Sequence, residues 1–116
     1  MESYLKDVIR FFNIKGQFVE AKMINSGHIN DTYFISLSEN SKDNNRLHYI
    51  LQRINHNVFK EPEKVMDNII KVTRYLREKI IAIGGNPDRE TLGFISATDG
   101  RFLYKSKDGN YWRLYT

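Results

Sequence analysis

The stretch Ile24-Asn25-Ser26-Gly27-His28-Ile29-Asn30-Asp31-Thr32-Tyr33-Phe34-Ile35 constrains the fold more than any other part of this chain. Its flanks, Phe18 to Ile24 and Thr32 to Leu37, are rich in β-branched and aromatic residues, while its middle holds the Gly, Ser, Asn and Asp of tight turns. The pattern predicts a β-hairpin with its tip at Gly27. Such a tip is usually a plain connection. It can also lay main-chain N–H groups over phosphate oxygens, because glycine lets a ligand approach the backbone.

The rest of the chain supplies the partners of that hairpin. With 116 residues there is room for one domain and one modest core. Tyr4, Leu5, Val8, Ile9 and Phe12 share one face of a helix predicted over Ser3–Phe12, which Asn13 and Gly16 stop. The polar run from Ser38 to Arg46 reads as an exposed loop. Leu47 to Asn55 reads as a third strand, with Leu51 and Arg53 on one face and Ile50, Gln52 and Ile54 on the other. A cation in so apolar a strand is costly unless it reaches solvent, pairs or binds an anion. Pro62 suits the first position of the longest helix, in which Met66, Ile69, Thr73, Leu76 and Ile80 form a stripe expected to pack on the sheet. Gly84-Gly85-Asn86-Pro87 ends it. Three strand-like runs follow, separated by the hairpin dipeptides Asp99-Gly100 and Asp108-Gly109. The expected class is α+β: a five-stranded antiparallel sheet with the long packed helix and an N-terminal helix.

Composition narrows the function classes. There is no cysteine, hence no disulfide framework or thiolate metal site, which fits a reducing, cytoplasmic location. No apolar run approaches the roughly eighteen residues of a membrane span, and the mixed charge of Met1 to Asp7 is unlike a signal peptide. The net charge of +4, from 18 basic and 14 acidic residues, is spread along the chain. Lys60, Lys64, Lys71, Arg74, Arg77 and Lys79 have the spacing of a solvated helix face, so neither nucleic acid nor membrane is expected as a partner. His28, His48 and His56 fit no zinc spacing, and Ser26 lacks the flanking glycines of a nucleophile elbow.

Three blocks carry a resemblance. Ser26-Gly27-His28-Ile29-Asn30-Asp31-Thr32-Tyr33, then Tyr49-Ile50-Leu51-Gln52-Arg53-Ile54-Asn55 with Asn57 to Ile69, then Asp108-Gly109-Asn110-Tyr111-Trp112-Arg113-Leu114-Tyr115 resemble the small lobe of the aminoglycoside phosphotransferase and choline kinase superfamily, within it the N-acetylhexosamine 1-kinases. The resemblance implies a kinase-like small lobe that binds ATP with Mg²⁺ for phosphorylation of a sugar anomeric hydroxyl. Ser26, Gly27, His28 and Asn30 would cover the phosphates, with Thr32 at the base of the turn. Arg53, or Gln52 in the adjacent register, would contact the phosphates; Asp67 and Glu63 compete as the acidic partner of that cation. Ile24, Leu51 and the segment from Leu114 to Thr116 would sandwich or edge the adenine. The catalytic Asp and the metal-holding side chains belong to a large lobe that would follow Thr116. Residues 1–116 are therefore expected to be inactive alone and to pair or dimerise through the face left exposed. The other reading is a self-contained binding module of the same α+β plan.

Overall fold

The computed structural model describes residues 2–26, 30–38, 46–54, 61–90 and 93–116. Helix α1 (Glu2–Ile9) leads into the long antiparallel strands β1 (Gln17–Ser26), β2 (Asn30–Ser38) and β3 (Arg46–Ile54). Helix α2 (Pro62–Ala82) and the short α3 (Pro87–Glu90) come next, then β4 (Phe94–Ile95), β5 (Tyr104–Lys105) and β6 (Tyr111–Tyr115). All pairings are antiparallel, in the order β1-β2-β3-β6-β4, with β5 also on β6. The α+β class stands as expected, but among the described residues the sheet has six strands rather than five. The reason is local: β4 takes the Leu114–Tyr115 end of β6 and β5 takes the Tyr111–Trp112 end, so two short pieces share one edge. Of the exposed loop expected from Ser38 to Arg46, Ser38 instead ends β2, where it is buried, and Arg46 begins β3, the two paired in register, while residues 39–45 lie outside the described residues.

The period-two alternation of the strands sorts the side chains into two unequal cores. Toward α1, Leu5, Val8, Ile9 and Phe12 pack on Tyr33, Ile35 and Leu37 of β2, Leu51 of β3, and Trp112 and Leu114 of β6. This is the larger core, and it uses the apolar residues of the predicted N-terminal helix, although α1 ends at Ile9, Phe12 lies beyond it in a β-bridge with Ala97, and Tyr4 is exposed. On the opposite side Met66 of α2 meets Ile54 and Leu103, with Ile69, Ile70, Phe94, Phe102 and Tyr111 around them. The α2 stripe expected to pack on the sheet is covered in part: Met66 is buried and Ile69, Thr73 and Ile80 are half-buried, whereas Leu76 is 44% exposed. β4 and β5, at two residues each, are too short to run beneath a helix of 21 residues.

Two glycines are required by the backbone. Gly16 sits at φ +113°, and a Cβ there would stand 2.8 Å from the Ser38 carbonyl oxygen, so the turn into β1 closes against the end of β2 only because no side chain is present. Gly84, at φ +82°, follows the α2 C-cap Ile83 and donates its N–H to the Ile81 carbonyl, while Gly85 donates to Ile80.

The β5–β6 hairpin is tied to α1 by one carboxylate. Tyr4 donates its hydroxyl to Asp108 Oδ2 at 2.6 Å, and Ser106 donates to Oδ1 of the same group. Ser106 first, then Tyr4, holds the Asp108 carboxyl down from 3.8 to about 2. A carboxylate whose folded pKa is depressed contributes stability above its unfolded value and loses it as pH falls toward the folded one. The melting temperature of the parent is therefore expected to fall more steeply between pH 4 and pH 2 than that of Asp108→Asn, which has no charge to lose; parallel acid limbs would remove this role.

Candidate functional site

The face of the sheet toward α2 carries a small polar group amid apolar residues. The register pairs Thr32 of β2 with Gln52 of β3, and Gln52 with Arg113 of β6, so three side chains from adjacent strands line up in one row. The Gln52 amide nitrogen donates to Thr32 Oγ1 at 3.1 Å, and its carbonyl accepts from Arg113 Nε at 2.8 Å. Arg113 Nη1 lies 3.5 Å from the Met66 sulfur, and the guanidinium stands 6.0 Å from the centre of the Tyr115 ring. A gap of about 90 Å³ separates Arg113 and Ile54 from Pro62, Val65, Met66 and Ile69 of α2.

Arg113 is the electrostatic anomaly of this face. It is half-buried, and no ion pair to it exists among the described residues. Burial pulls its pKa down, an effect that the Tyr115 phenol partly opposes. Burial in turn pushes the Tyr115 phenol up, and Arg113 pulls it back. A partly desolvated cation whose polar contacts are an amide and a thioether is short of negative charge, and an anion is the group that relieves it.

The residues expected from the sequence fall into three sets. Thr32 and Gln52 come together as described. Ser26 ends β1 and Asn30 begins β2, which brackets the turn in the expected place, while Gly27 and His28 and the side chains of Ser26 and Asn30 lie outside the described residues. Arg53, Leu51 and Leu114 are on the other side of the sheet. Arg53 pairs with Trp112 in register and bonds the nearly buried Asp31 carboxylate through Nε at 2.8 Å and through Nη2. Its Nη1 also reaches Asn110 Oδ1 at 3.5 Å. Its carboxylate partner is thus Asp31, one strand away, and not Glu63 or Asp67, which sit on α2 across the sheet.

Leu51 and Leu114 are 0% exposed, their side chains within the α1 core and turned from α2. The positions that face α2 in their place are Ile50 and Tyr115, paired across β3 and β6. Ile24 is exposed on edge strand β1. Glu63 has Arg101 at 4.0 Å, and Asp67 lines a groove of about 620 Å³ with Lys71, Arg74 and Arg101 between α2 and the β4–β5 connection.

Arg113 was not among the residues picked out from the sequence. Its signal was the alternation Tyr111, Arg113, Tyr115, but the face those residues occupy is fixed only by pairing with β3. No protein-family model matches the chain. No helix among the described residues is long and apolar enough to cross a membrane. Among the described residues no three His, Asp or Glu side chains converge as a metal ion requires.

Proposed function

We propose that this chain is the nucleotide-binding small lobe of a cytoplasmic small-molecule kinase that phosphorylates the anomeric hydroxyl of an N-acetylhexosamine. The observation that supports this most is the row Thr32, Gln52 and Arg113: a half-buried cation and an oriented amide, at the base of the β1–β2 connection and on the side of the sheet that α2 covers. The order of elements is consistent with it, since α2 follows β3 and β6 returns between β3 and β4.

In this reading the β1–β2 turn closes over ATP, Ile50 and Tyr115 flank the base, and Gln52 donates to a phosphate oxygen. Gln52 takes the phosphate contact in preference to Arg53, because Arg53 is engaged with Asp31 on the far face. The sugar hydroxyl oxygen forms a bond to the γ-phosphorus as the bond from that phosphorus to the β–γ bridging oxygen breaks, ADP leaves with the electron pair, and the hydroxyl proton passes to a base on the second lobe. The lobe described here contributes positioning and charge, which dominate this chemistry.

The test is titration of the full-length protein with ATP, ADP and adenosine, followed by ³¹P NMR with N-acetylgalactosamine or N-acetylglucosamine as acceptor. A sugar 1-phosphate together with phosphate-dependent nucleotide affinity is expected. Absence of nucleotide binding would overturn the reading, and turnover of a different alcohol would reassign the substrate alone.

A further inference from the structure

We infer that Arg113 is a positioning residue: it fixes which end of the Gln52 amide faces the nucleotide phosphates. The inference rests on the kinase reading above and concerns how a neutral glutamine recognises an anion in that site. A glutamine amide presents two chemically opposite ends, an N–H₂ that attracts phosphate oxygens and a carbonyl that repels them. Turning the amide over exchanges the two with little change in shape. Something must therefore break that symmetry if Gln52 is to bind an anion.

Thr32 does not break it. A hydroxyl both donates and accepts, so Thr32 Oγ1 satisfies the amide nitrogen as it stands, 3.1 Å away, and would satisfy the carbonyl equally after a flip. Arg113 does break it, because a guanidinium has donors only. Its Nε, 2.8 Å from Gln52 Oε1, accepts nothing, so a flipped amide would set N–H against N–H inside a half-buried row. The carbonyl is thereby held toward β6. The amide nitrogen spends one hydrogen on Thr32 and keeps the second for a ligand.

Arg113 is itself held for this task. Trp112 and Leu114, its neighbours on β6, are buried against α1, which fixes the strand, and the register opposite β3 sets Arg113 directly across from Gln52. Met66 and the small gap under α2 receive the guanidinium without a carboxylate to draw it away. Its positive charge, placed behind the amide carbonyl, polarises the amide so that the remaining N–H is a stronger donor. The pair divides between two strands what a single cation would do: Arg113 holds the charge, and Gln52 makes the contact.

Dissociation constants of the full-length protein for ATP, ADP and adenosine test this with Arg113→Met, Arg113→Lys and Gln52→Glu. Arg113→Met is expected to weaken ATP and ADP about tenfold and adenosine less than about twofold, and Arg113→Lys, which still donates, to recover part of the loss. A merely structural Arg113 would lower affinity for all three alike. Gln52→Glu keeps the bond to Arg113 as an ion pair and so keeps the melting temperature, yet it replaces the Gln52 N–H aimed at the phosphates with a carboxylate oxygen; it is expected to lose at least as much ATP affinity as Arg113→Met. That variant carries the test if Arg113→Met does not fold. Equal losses for ATP and adenosine in Arg113→Met, or ATP affinity within about twofold of the parent in Gln52→Glu, overturn the inference while leaving nucleotide binding intact. A parent that binds no nucleotide overturns the kinase reading and this role together.

Discussion

Trp112→Ala is expected to lower the free energy of unfolding by about 3–5 kcal/mol, a large share of what a chain of this size has. The indole is 1% exposed, on the second residue of β6. Its ring meets Tyr4 edge-on at 5.8 Å and Tyr33 at 6.2 Å, and its Nε1–H donates to Ser106 Oγ at 3.3 Å. One side chain thus ties α1, β2 and the β5–β6 hairpin together. Truncation leaves a cavity bounded by three elements that cannot all move inward, which places the cost in the upper range for a large-to-small change. Because β6 carries Arg113 on its reverse face, the row facing α2 is expected to lose its register as well. Urea unfolding followed by circular dichroism measures the effect, with the midpoint falling and the slope unchanged. A loss under about 1 kcal/mol would show that the α1 core is not what holds β6. Ile81→Ser, on the exposed end of α2, is the control, expected within about 0.5 kcal/mol of the parent.

The contrast between those two positions marks what the sequence carries and what it does not. Leu5, Val8, Ile9 and Phe12 are spaced for one helical face, and all four are buried together. In α2 the same kind of spacing joins Met66 to Leu76, yet Met66 is buried while Leu76 is exposed. Periodicity states which face of a helix is apolar; what lies beneath that face depends on the length of the strands it meets. Strand alternation likewise separates Leu51 and Arg53 from Gln52, which is legible from five consecutive residues. Which of those faces turns toward α2 is decided by the crossover after β3 and by a pairing with β6 some sixty residues later, and no local pattern encodes it. Arg53 stood out in the sequence because it is charged, and Gln52 stood out less because it is not. The fold gives Arg53 a carboxylate one strand away and gives Gln52 the cation of another strand.

That division makes Arg53 a position where stability and nucleotide binding should come apart. Arg53→Met is expected to cost about 2–3 kcal/mol of stability, because it strips the nearly buried Asp31 carboxylate of its guanidinium. Arg53 is itself partly exposed, which keeps the cost below that of breaking a fully buried pair. Adding Asp31→Asn removes the stranded charge, so the double variant is expected to regain more than half of the loss, the signature of a coupled pair in a thermodynamic cycle. Asp31 lies next to the row through Thr32 and near the start of β2, so the pair clamps the base of the β1–β2 connection from the side of the sheet opposite Gln52 and Arg113. Once the double variant is folded, its ATP affinity at saturating stability is expected to stay within about threefold of the parent, against the tenfold loss assigned to the Gln52 and Arg113 changes. A double variant that is as stable as the parent but has lost ATP affinity tenfold or more would return Arg53 to the phosphates and remove Gln52 from them. The same cycle therefore decides which face of β3 the ligand uses, and it does so without reference to turnover or to the identity of the sugar.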